Sequence, residues 1–348
     1  VRVTERLGRR VGLSTGLVIA ALGAVAVVVG AALPAMPLMF AGFLLTGAAT
    51  AAGLQARYAA TDLAAPAHRA RDLSTVLWAT TVGAVIGPNL ADPADWVATR
   101  LGLPDLTGGY LVALVTFALG AVVVVLLLRP DPLLTARARH AAAGNAAVPH
   151  PALRHSLQVI ASCRGAGLAL AAIAVGQTAM VAVMVMTPIH MLHVDVSLRI
   201  IGLVISVHIL GMYALSPLVG LASDRLGRRT VLVAGAVLLL ASCLVAGVAA
   251  ADDAIQLGIG LFLLGLGWSC SLIAGSTLLT ESVPEAERPG VQGASDLVMN
   301  SCGAIGGALA GLIIAVASYG WLTAIVAVPV AVLLLFLLRP RTGTPATS

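Results

Sequence analysis

The sequence contains no lysine, so all 20 of its basic residues are arginine. Charged residues of either sign make up only 10% of the 348 residues, and aromatic residues only 4%, whereas a soluble domain carries about 25% charged residues. This shortage of charge excludes a soluble enzyme, a disordered chain and a nucleic-acid-binding domain. The scarcity of aromatic side chains argues against a cavity lined mainly by aromatic rings.

Cysteine is also rare: there are four residues, and no two of them form a CxxC pair. Neither a disulfide framework nor a zinc site is therefore indicated. The sequence also lacks a phosphate-binding loop of the GxxxxGK type and a catalytic dyad. We expect a protein that is not an enzyme, that holds no cofactor and that draws its energy from an ion or solute gradient.

Apolar residues make up 59% of the chain, and the mean hydropathy is +1.01. A helix needs about 20 mostly apolar residues to cross a bilayer, and ten stretches of the sequence meet that length. We therefore predict an all-α integral membrane protein in contact with the lipid bilayer. The predicted spans are 12–33, 38–60, 72–91, 108–129, 166–190, 197–221, 230–251, 254–283, 290–317 and 320–338.

The arginines lie almost entirely on one side of these spans. If the N-terminal segment is cytoplasmic, every arginine except Arg100 and Arg199 falls in a cytoplasmic segment, as the positive-inside rule requires. We therefore predict a protein of the bacterial cytoplasmic membrane with both termini in the cytoplasm. The predicted divisions are 1–129 for an N-terminal bundle, 130–165 for a cytoplasmic linker, 166–338 for a C-terminal six-helix bundle and 339–348 for a cytoplasmic tail.

The two halves of the chain share a repeated segment. Residues 5–10 read ERLGRR and residues 224–229 read DRLGRR, which is an offset of 219 positions. The same offset relates Asp62 to Glu281. Internal repeats of this kind are typical of transporters, which bind their substrate between the repeats near the middle of the membrane.

Gly220 completes the pattern G-x-x-x-D-R-x-G-R-R in the second copy. This pattern resembles the loop motif between helices 8 and 9 of the major facilitator superfamily. The resemblance implies two six-helix bundles that rock around a central cavity. It also implies a conformational latch that stabilises the outward-open state, in which we expect Asp224 to pair with Arg228. The latch residues by this resemblance are Glu5, Arg9, Gly220, Asp224, Arg225, Gly227, Arg228 and Arg229.

The repeat further predicts that the N-terminal bundle is incomplete. In the second half, 58 residues separate Ala166 from Asp224, whereas only four residues precede Glu5. The ten predicted spans then correspond to helices 3–12 of the family, and we expect the gene to encode two further spans upstream. A genuine ten-helix protein is the alternative.

Helix 5 of the family corresponds to the predicted span 72–91, where Gly83-x-x-x-Gly87-Pro88 resembles part of an antiporter motif. Small residues allow close helix packing, and proline permits a kink. The match is partial, because the paired glycines expected next are absent. In addition, Phe43 stands where proton-coupled drug exporters carry an arginine. The partial motif favours a proton-coupled exporter of small organic molecules, of the drug-antiporter type, and the missing arginine weakens it. We keep this exporter as the alternative hypothesis for the function.

Methionine and histidine recur at helical spacing in two consecutive spans. Met180 and Met184 are four residues apart, as are His208 and Met212, so each pair shares a helix face. Both pairs lie about 15 Å below the outer ends of their helices. The thioether is a soft ligand that favours Cu(I), and it places no charge inside the bilayer. Simple packing is the alternative role of the methionines.

The two tetrapeptides resemble those of the CcoA-like copper importers, which carry Met-x-x-x-Met in helix 7 and His-x-x-x-Met in helix 8. By this resemblance Met180, Met184, His208 and Met212 form a metal path, with copper as the substrate that enters the cytoplasm. A small solute is the other substrate class. We expect the transporter to be a monomer.

Asp296 is a further polar residue in a predicted span, within the first turns of 290–317. Ionisable residues inside a membrane are functional candidates by default. Asp296 can interact with the positive end of its helix, or it can carry a proton. The sequence alone leaves both alternatives open.

Overall fold

The computed structural model describes residues 2–104, 107–142 and 153–339. This part of the chain is helical and contains no strand, so the all-α prediction is confirmed. Its helices are α1 (Arg2–Leu7), α2 (Arg9–Ala32), α3 (Met36–Ala59), α4 (Arg69–Asn89), α5 (Ala91–Arg100), α6 (Gly108–Leu127), α7 (Pro132–Ala142), α8 (Leu153–Ser162), α9 (Arg164–Leu192), α10 (Leu198–Tyr213), α11 (Ser216–Leu226), α12 (Arg228–Gly247), α13 (Ala254–Glu281), α14 (Arg288–Val316) and α15 (Tyr319–Leu338).

Nine segments of the described chain are long and apolar enough to cross a membrane. The remaining predicted span, 72–91, does fold as helix α4, but it is not one of these nine segments. Polar residues along it, including Asp72, Thr75 and Thr80, lower its hydropathy. The nine segments are Arg9–Ala32, Met36–Ala59, Gly108–Arg139, Arg164–Leu192, Ile200–Leu226, Arg228–Gly247, Ala254–Glu281, Glu285–Val316 and Tyr319–Leu338.

The predicted span 197–221 is divided into α10 and α11. Pro217 lies in the first turn of α11, where its missing N–H costs nothing. In a continuous helix its ring would clash with the carbonyl group four residues earlier, at Tyr213. The hydroxyl of Ser216 donates a hydrogen bond to that carbonyl oxygen at 2.7 Å, so the break leaves the carbonyl satisfied.

The internal repeat is visible in the backbone. Gly8 and Gly227, 219 positions apart, each join two helices with φ angles of 91° and 89°. Side chains rarely tolerate such angles, which explains why glycine occupies both positions. Single 3₁₀ turns also recur at the same offset, at Pro66–His68 and Glu285–Glu287. The repeated sequence therefore folds as a repeated structure.

The described residues form two compact units. Unit 1 takes those within 1–161 and 283–296, and unit 2 takes those within 162–282 and 297–348. Helix α14 therefore contributes its first turns, up to Asp296, to unit 1 and its remainder to unit 2.

Close helix packing in unit 1 depends on small residues. Helix α2 packs against α3 and α6. A Cβ atom added at Gly23 of α2 would lie 2.8 Å from the carbonyl oxygen of Gly42 on α3. Small residues allow membrane helices to approach this closely.

Helix α13 forms the core of unit 2. It packs against α9, α10 and α12, and 78% of its most apolar window is buried inside the protein. Polar side chains in the middle of α13, including Ser269, Ser271 and Ser276, are therefore buried inside the protein.

Candidate functional site

A polar aromatic cluster lies in unit 2, where α9 and α10 each pack on α13. The indole Nε1 of Trp268 donates a hydrogen bond to Oε1 of Gln177 at 2.7 Å. The ring of Tyr213 meets the Trp268 ring edge-on, with centroids 5.8 Å apart and an interplanar angle of 84°. Such edge-to-face pairs are favoured by the ring quadrupoles. We refer to Gln177, Tyr213 and Trp268 as the Trp268 cluster.

The hydrogen bond to Trp268 orients the amide of Gln177. An indole N–H can only donate, so the amide must turn its oxygen toward Trp268. Its nitrogen, Nε2, forms no hydrogen bond with any described residue. The cluster can therefore offer two amide N–H donors, beside two aromatic rings, to a bound molecule.

Glycines bring α9 close to its neighbours around this cluster. A Cβ atom at Gly176 would lie 2.8 Å from Cβ of Ser271 on α13, and one at Gly303 of α14 would lie 3.1 Å from Cγ of Gln177. A larger residue at either position would push α9 outward and displace Gln177. The position of the amide thus depends on the packing of three helices.

His208, a predicted copper ligand, is fully buried on α10. Its Nδ1 lies 2.8 Å from the carbonyl oxygen of Leu261 on α13. Because a carbonyl oxygen only accepts hydrogen bonds, Nδ1 carries a proton and Nε2 of the neutral ring carries a lone pair. Nε2 is buried without a partner among the described residues. Metal-binding histidines usually have this arrangement, with one nitrogen held by a carbonyl and the other left for the metal.

The predicted methionines lie on the two helices that pack on α13. Met180 on α9 and Met212 on α10 are buried, and Met184 is half-buried. A Cβ atom at Gly265 of α13 would lie 2.8 Å from the backbone nitrogen of Met212, so α10 and α13 are in close contact there. The described residues contain no group of three or more His, Cys, Asp or Glu side chains suited to a metal. A metal in this region would therefore depend on the thioethers.

The second copy of the repeated motif forms ion pairs in unit 2. Nη1 of Arg228 lies 3.0 Å from Oδ1 of Asp224, and Nη2 lies 2.9 Å from Oε1 of Glu281. The guanidinium also donates to the carbonyl oxygen of Ser223 at 2.7 Å. The expected pairing of Asp224 with Arg228 is therefore present, and Glu281 supplies a second carboxylate.

The other residues of this motif have separate environments. Arg229 donates to the carbonyl oxygen of Leu337 at 2.7 Å, where a cation suits the C-terminal end of α15. Gly220 is buried on α11, and Arg225 is exposed. The side chain of Glu5, in the first copy, lies outside the described residues.

The first copy places Arg9 at the centre of a buried network in unit 1. Its Nε and Nη2 lie 2.8 and 3.1 Å from the two carboxylate oxygens of Asp62. Nη1 donates to Oε1 of Gln55 and Nη2 to Oε1 of Gln292, both at 2.6 Å. Arg9 is fully buried, so these bonds replace its contacts with water.

Asp296 connects this network to a second buried arginine. Nη2 of Arg57 lies 2.5 Å from its Oδ1, and Nε2 of Gln55 donates to its Oδ2 at 2.8 Å. Arg57 is fully buried, and its guanidinium carbon lies 4.7 Å from the centre of the Tyr58 ring. We refer to these residues as the buried polar network: Arg9, Gln55, Arg57, Asp62, Gln292 and Asp296.

Several of these residues are not singled out by any pattern in the sequence. The placement of the arginines indicates only a topological role for Arg57, although Gln55 and Arg57 lie two residues apart at the end of an apolar span. Composition gives Trp268 no weight, because aromatic residues are scarce overall. Its position is nevertheless a signal, because a tryptophan near the middle of an apolar span is far from the membrane surface, where tryptophan is usually enriched.

The predicted kink residues lie near the end of α4. The helix continues through Gly83 and Gly87 to Asn89. A Cβ atom at either glycine would meet no described atom within 4 Å, so close packing does not require glycine there within the described structure. The side chain of Pro88 lies outside the described residues. A kink of functional importance at this position stays a prediction.

The chain is similar to known membrane transporters. A family model described as Major Facilitator Superfamily matches residues 1–195 and 168–348. The chain is 40% identical over 318 residues to the uncharacterized MFS-type transporter YdeG of Bacillus subtilis, covering 91% of this chain and 74% of YdeG. It is 30% identical over 324 residues to the riboflavin transporter RfnT of Brucella anthropi, covering 92% of this chain and 76% of RfnT.

A solved structure supports the same fold. The crystal structure of the human organic anion transporter MFSD10 matches with a TM-score of 0.74 at 16% identity. The match covers 96% of this chain and 78% of that chain. At this level of identity, the likeness establishes the fold alone.

Proposed function

The chain belongs to the major facilitator superfamily, and from that premise we propose that it is a secondary active transporter of a small organic solute with a planar ring and hydrogen-bonding groups. The Trp268 cluster is the observation that carries the proposal. An indole, a phenol ring and an amide meet among the helices of unit 2. Polar groups inside a membrane protein are costly and are usually kept for function.

The chemistry of the cluster defines the class of solute. The aromatic rings can stack on a planar ring, and the amide N–H groups can donate to carbonyl or hydroxyl oxygens. A site that hydrogen-bonds its substrate discriminates strongly against analogues that lack the bonded group. A flat, purely apolar compound is therefore a poor substrate.

Riboflavin is the first substrate to test. It combines a planar heteroaromatic ring with a hydroxylated chain, which fits the donors and rings of the cluster. The 30% identity to RfnT, named a riboflavin transporter, supports the same choice.

The test is riboflavin flux through the chain in liposomes, with a proton gradient of either sign. We expect uptake above protein-free liposomes, a strong loss of uptake in Trp268→Ala, and unchanged uptake in the control Trp321→Ala, which alters an exposed residue of α15. No riboflavin flux would contradict this choice of substrate. Extrusion from preloaded cells instead of accumulation would favour the drug-type exporter.

Copper import is a second candidate, because the unpartnered Nε2 of His208 favours it. Met180, Met184 and Met212 would supply soft thioether ligands for Cu(I). The test is the copper content of copper-limited bacteria, measured by elemental mass spectrometry. A rise with the wild-type chain, but not with Met180→Ala/His208→Ala at equal membrane levels, would support this function. Equal copper in both, and equal to the empty vector, would overturn it.

We also propose that both termini face the cytoplasm of a bacterial cell, as the placement of arginine supports. Alkaline phosphatase fused after the last residue should then be inactive, and a fusion after Arg100 should be active. The reverse pattern would overturn this orientation.

A further inference from the structure

We propose that Trp96 and Arg100 of α5 form a binding site for the phosphate group of a membrane lipid. Both side chains are exposed, and they lie one turn apart on the short helix that precedes the apolar helix α6. The inference does not depend on which solute is transported. It can therefore be tested on the full chain in a membrane without any substrate.

Helix α5 is held against the start of α6. Ala94 and Ala98, which are one turn apart, are both buried, and α5 packs against α6. Oδ1 of Asp95 accepts a hydrogen bond from the backbone nitrogen of Gly108, the first residue of α6, at 2.7 Å. A Cβ atom at Gly108 would overlap the backbone of Ala94. Close packing and this hydrogen bond therefore fix the position of α5 on α6.

The depth of α5 in the membrane follows from the position of α6. The segment Gly108–Arg139 is long and apolar enough to cross a membrane, and only 6% of its most apolar window is buried inside the described structure. The side chains of α6 are therefore available to lipid, and Gly108 marks one end of the span. Because Asp95 is bonded to Gly108, α5 lies at the membrane–water interface, where the lipid headgroups are located.

The exposed face of α5 has the composition of a helix that lies in this interface. The exposed fractions are 58% for Trp96, 43% for Val97 and 66% for Leu101. The burial of such apolar surface in lipid is favourable, and interfacial helices bind membranes in this way. Tryptophan is enriched at the level of the headgroups because its ring is apolar and its N–H group is polar.

Arg100 adds a positive charge to this exposed face. Its guanidinium carbon lies 3.9 Å from the centre of the Trp96 ring, which is a cation–π contact. Among the described residues, no carboxylate or carbonyl group accepts a hydrogen bond from the guanidinium of Arg100 or from the indole N–H of Trp96. The pair therefore presents hydrogen-bond donors and a charge that the described part of the protein does not satisfy.

A lipid phosphate can satisfy both groups. The planar guanidinium of Arg100 matches two phosphate oxygens in a bidentate arrangement, and the indole N–H of Trp96 can donate to another oxygen. Helix α6 also exposes apolar side chains, such as Val115 and Leu119, that can contact acyl chains. A cation beside an exposed apolar helix fits an amphiphilic anion better than a free anion.

Trp321 provides an internal comparison. It is 66% exposed near the start of α15, another span. The aromatic rings on which a described arginine stacks are those of Tyr58, Trp96 and Phe336. Trp321 therefore has the exposure of Trp96 without its arginine, so a substitution there serves as the matched control.

Fluorescence quenching tests the depth of the indole. The full chain in lipid nanodiscs is compared with Trp96→Phe, and the difference between their emissions is the contribution of Trp96. The nanodiscs contain a phospholipid with a nitroxide either on its headgroup or near the end of its acyl chain. We expect the headgroup nitroxide to quench Trp96 about twofold or more strongly than the deep nitroxide.

Native mass spectrometry tests the phosphate contact. Wild type, Arg100→Gln and Trp321→Phe are compared with added phosphatidylglycerol, or with digalactosyldiacylglycerol, which is a bilayer lipid without phosphate. We expect one phosphatidylglycerol of the wild type to bind roughly fivefold more weakly in Arg100→Gln and equally well in Trp321→Phe. The sugar lipid should bind all three proteins equally, and excess inorganic phosphate should not displace the bound phosphatidylglycerol.

The proposal is overturned if the deep nitroxide quenches Trp96 as strongly as the headgroup nitroxide, or if Arg100→Gln binds phosphatidylglycerol as tightly as the wild type. Displacement of the lipid by inorganic phosphate would reveal a site for a free anion and would also overturn the lipid assignment. Both side chains are exposed, so we expect both variants to fold. An unchanged midpoint of thermal unfolding checks this for each variant.

Discussion

Arg9 binds Asp62 through two guanidinium nitrogens, at 2.8 and 3.1 Å. The same pair recurs 219 positions later as Arg228 and Glu281, at 3.2 and 2.9 Å. The two copies differ in their surroundings. The side chains of the first pair are 0% and 7% exposed, and those of the second are 13% and 26% exposed. The same motif therefore forms a buried ion pair in unit 1 and a more exposed ion pair in unit 2.

We expect Asp62→Asn, at the buried pair with Arg9, to destabilise the protein far more than Glu281→Gln, at the more exposed pair with Arg228. Removing one partner of a buried ion pair costs about 3–5 kcal/mol, whereas a partly exposed pair contributes about 1 kcal/mol or less. The measurement is the midpoint of thermal unfolding in detergent, followed by tryptophan fluorescence. Equal losses in the two variants would show that burial does not distinguish the two copies.

Gly8→Ala should lower stability, and Gly83→Ala should preserve or raise it. At Gly8 the φ of 91° costs a side chain about 1–3 kcal/mol, and an added Cβ would also lie 2.5 Å from Oδ2 of Asp131. At Gly83 an added Cβ meets no described atom, and alanine in a helix is favoured by about 0.5–1 kcal/mol. Thermal unfolding measures both variants.

A loss of stability in Gly83→Ala would contradict this expectation. It would indicate that the glycine is needed for a contact or a kink of α4, as the antiporter-like pattern predicts.

Gln177→Leu should weaken riboflavin flux through its effect on KM. The change removes two amide donors, so the substrate group that they would bind is left without a partner, at a cost of about 1–3 kcal/mol, or roughly tenfold in KM. The control is Gln256→Leu, which removes an amide bonded to the carbonyl oxygen of Val245 near the start of α13. An unchanged KM in Gln177→Leu would exclude this amide from the substrate site.

Thr187→Val should cost more stability than Tyr319→Phe, although both changes remove the same 2.7 Å hydrogen bond between the two hydroxyl groups. The hydroxyl of Thr187 already donates to the carbonyl oxygen of Val183 at 2.8 Å, so Tyr319 is the donor of the shared bond. Thr187→Val leaves the buried hydroxyl donor of Tyr319 without an acceptor, which lowers the free energy of unfolding by about 1–3 kcal/mol. Tyr319→Phe removes the donor itself, so no unsatisfied donor remains. Thermal unfolding compares the variants, and the opposite order would reverse the assigned donor.

The sequence determined the general architecture of the protein. Long apolar stretches require helices in a bilayer, because every backbone polar group must be satisfied within its own segment. Nine predicted spans follow from that rule, and α4 departs from it because polar residues dilute its apolar run. The repeat at an offset of 219 positions also correctly related Asp62 to Glu281, since repeated sequence forms repeated local structure.

Which polar side chains meet depends on how the helices pack against one another. Gln177 and Trp268 are 91 positions apart, and Arg57 and Asp296 are 239 positions apart. No periodicity along the chain encodes such contacts. They arise because close helix packing at small residues such as Gly176 and Gly303 sets the distance and rotation of each helix. Apolar length and the repeated motif therefore predict the helices and the repeat, whereas helix packing determines the partners of Asp296 and of the Gln177 amide.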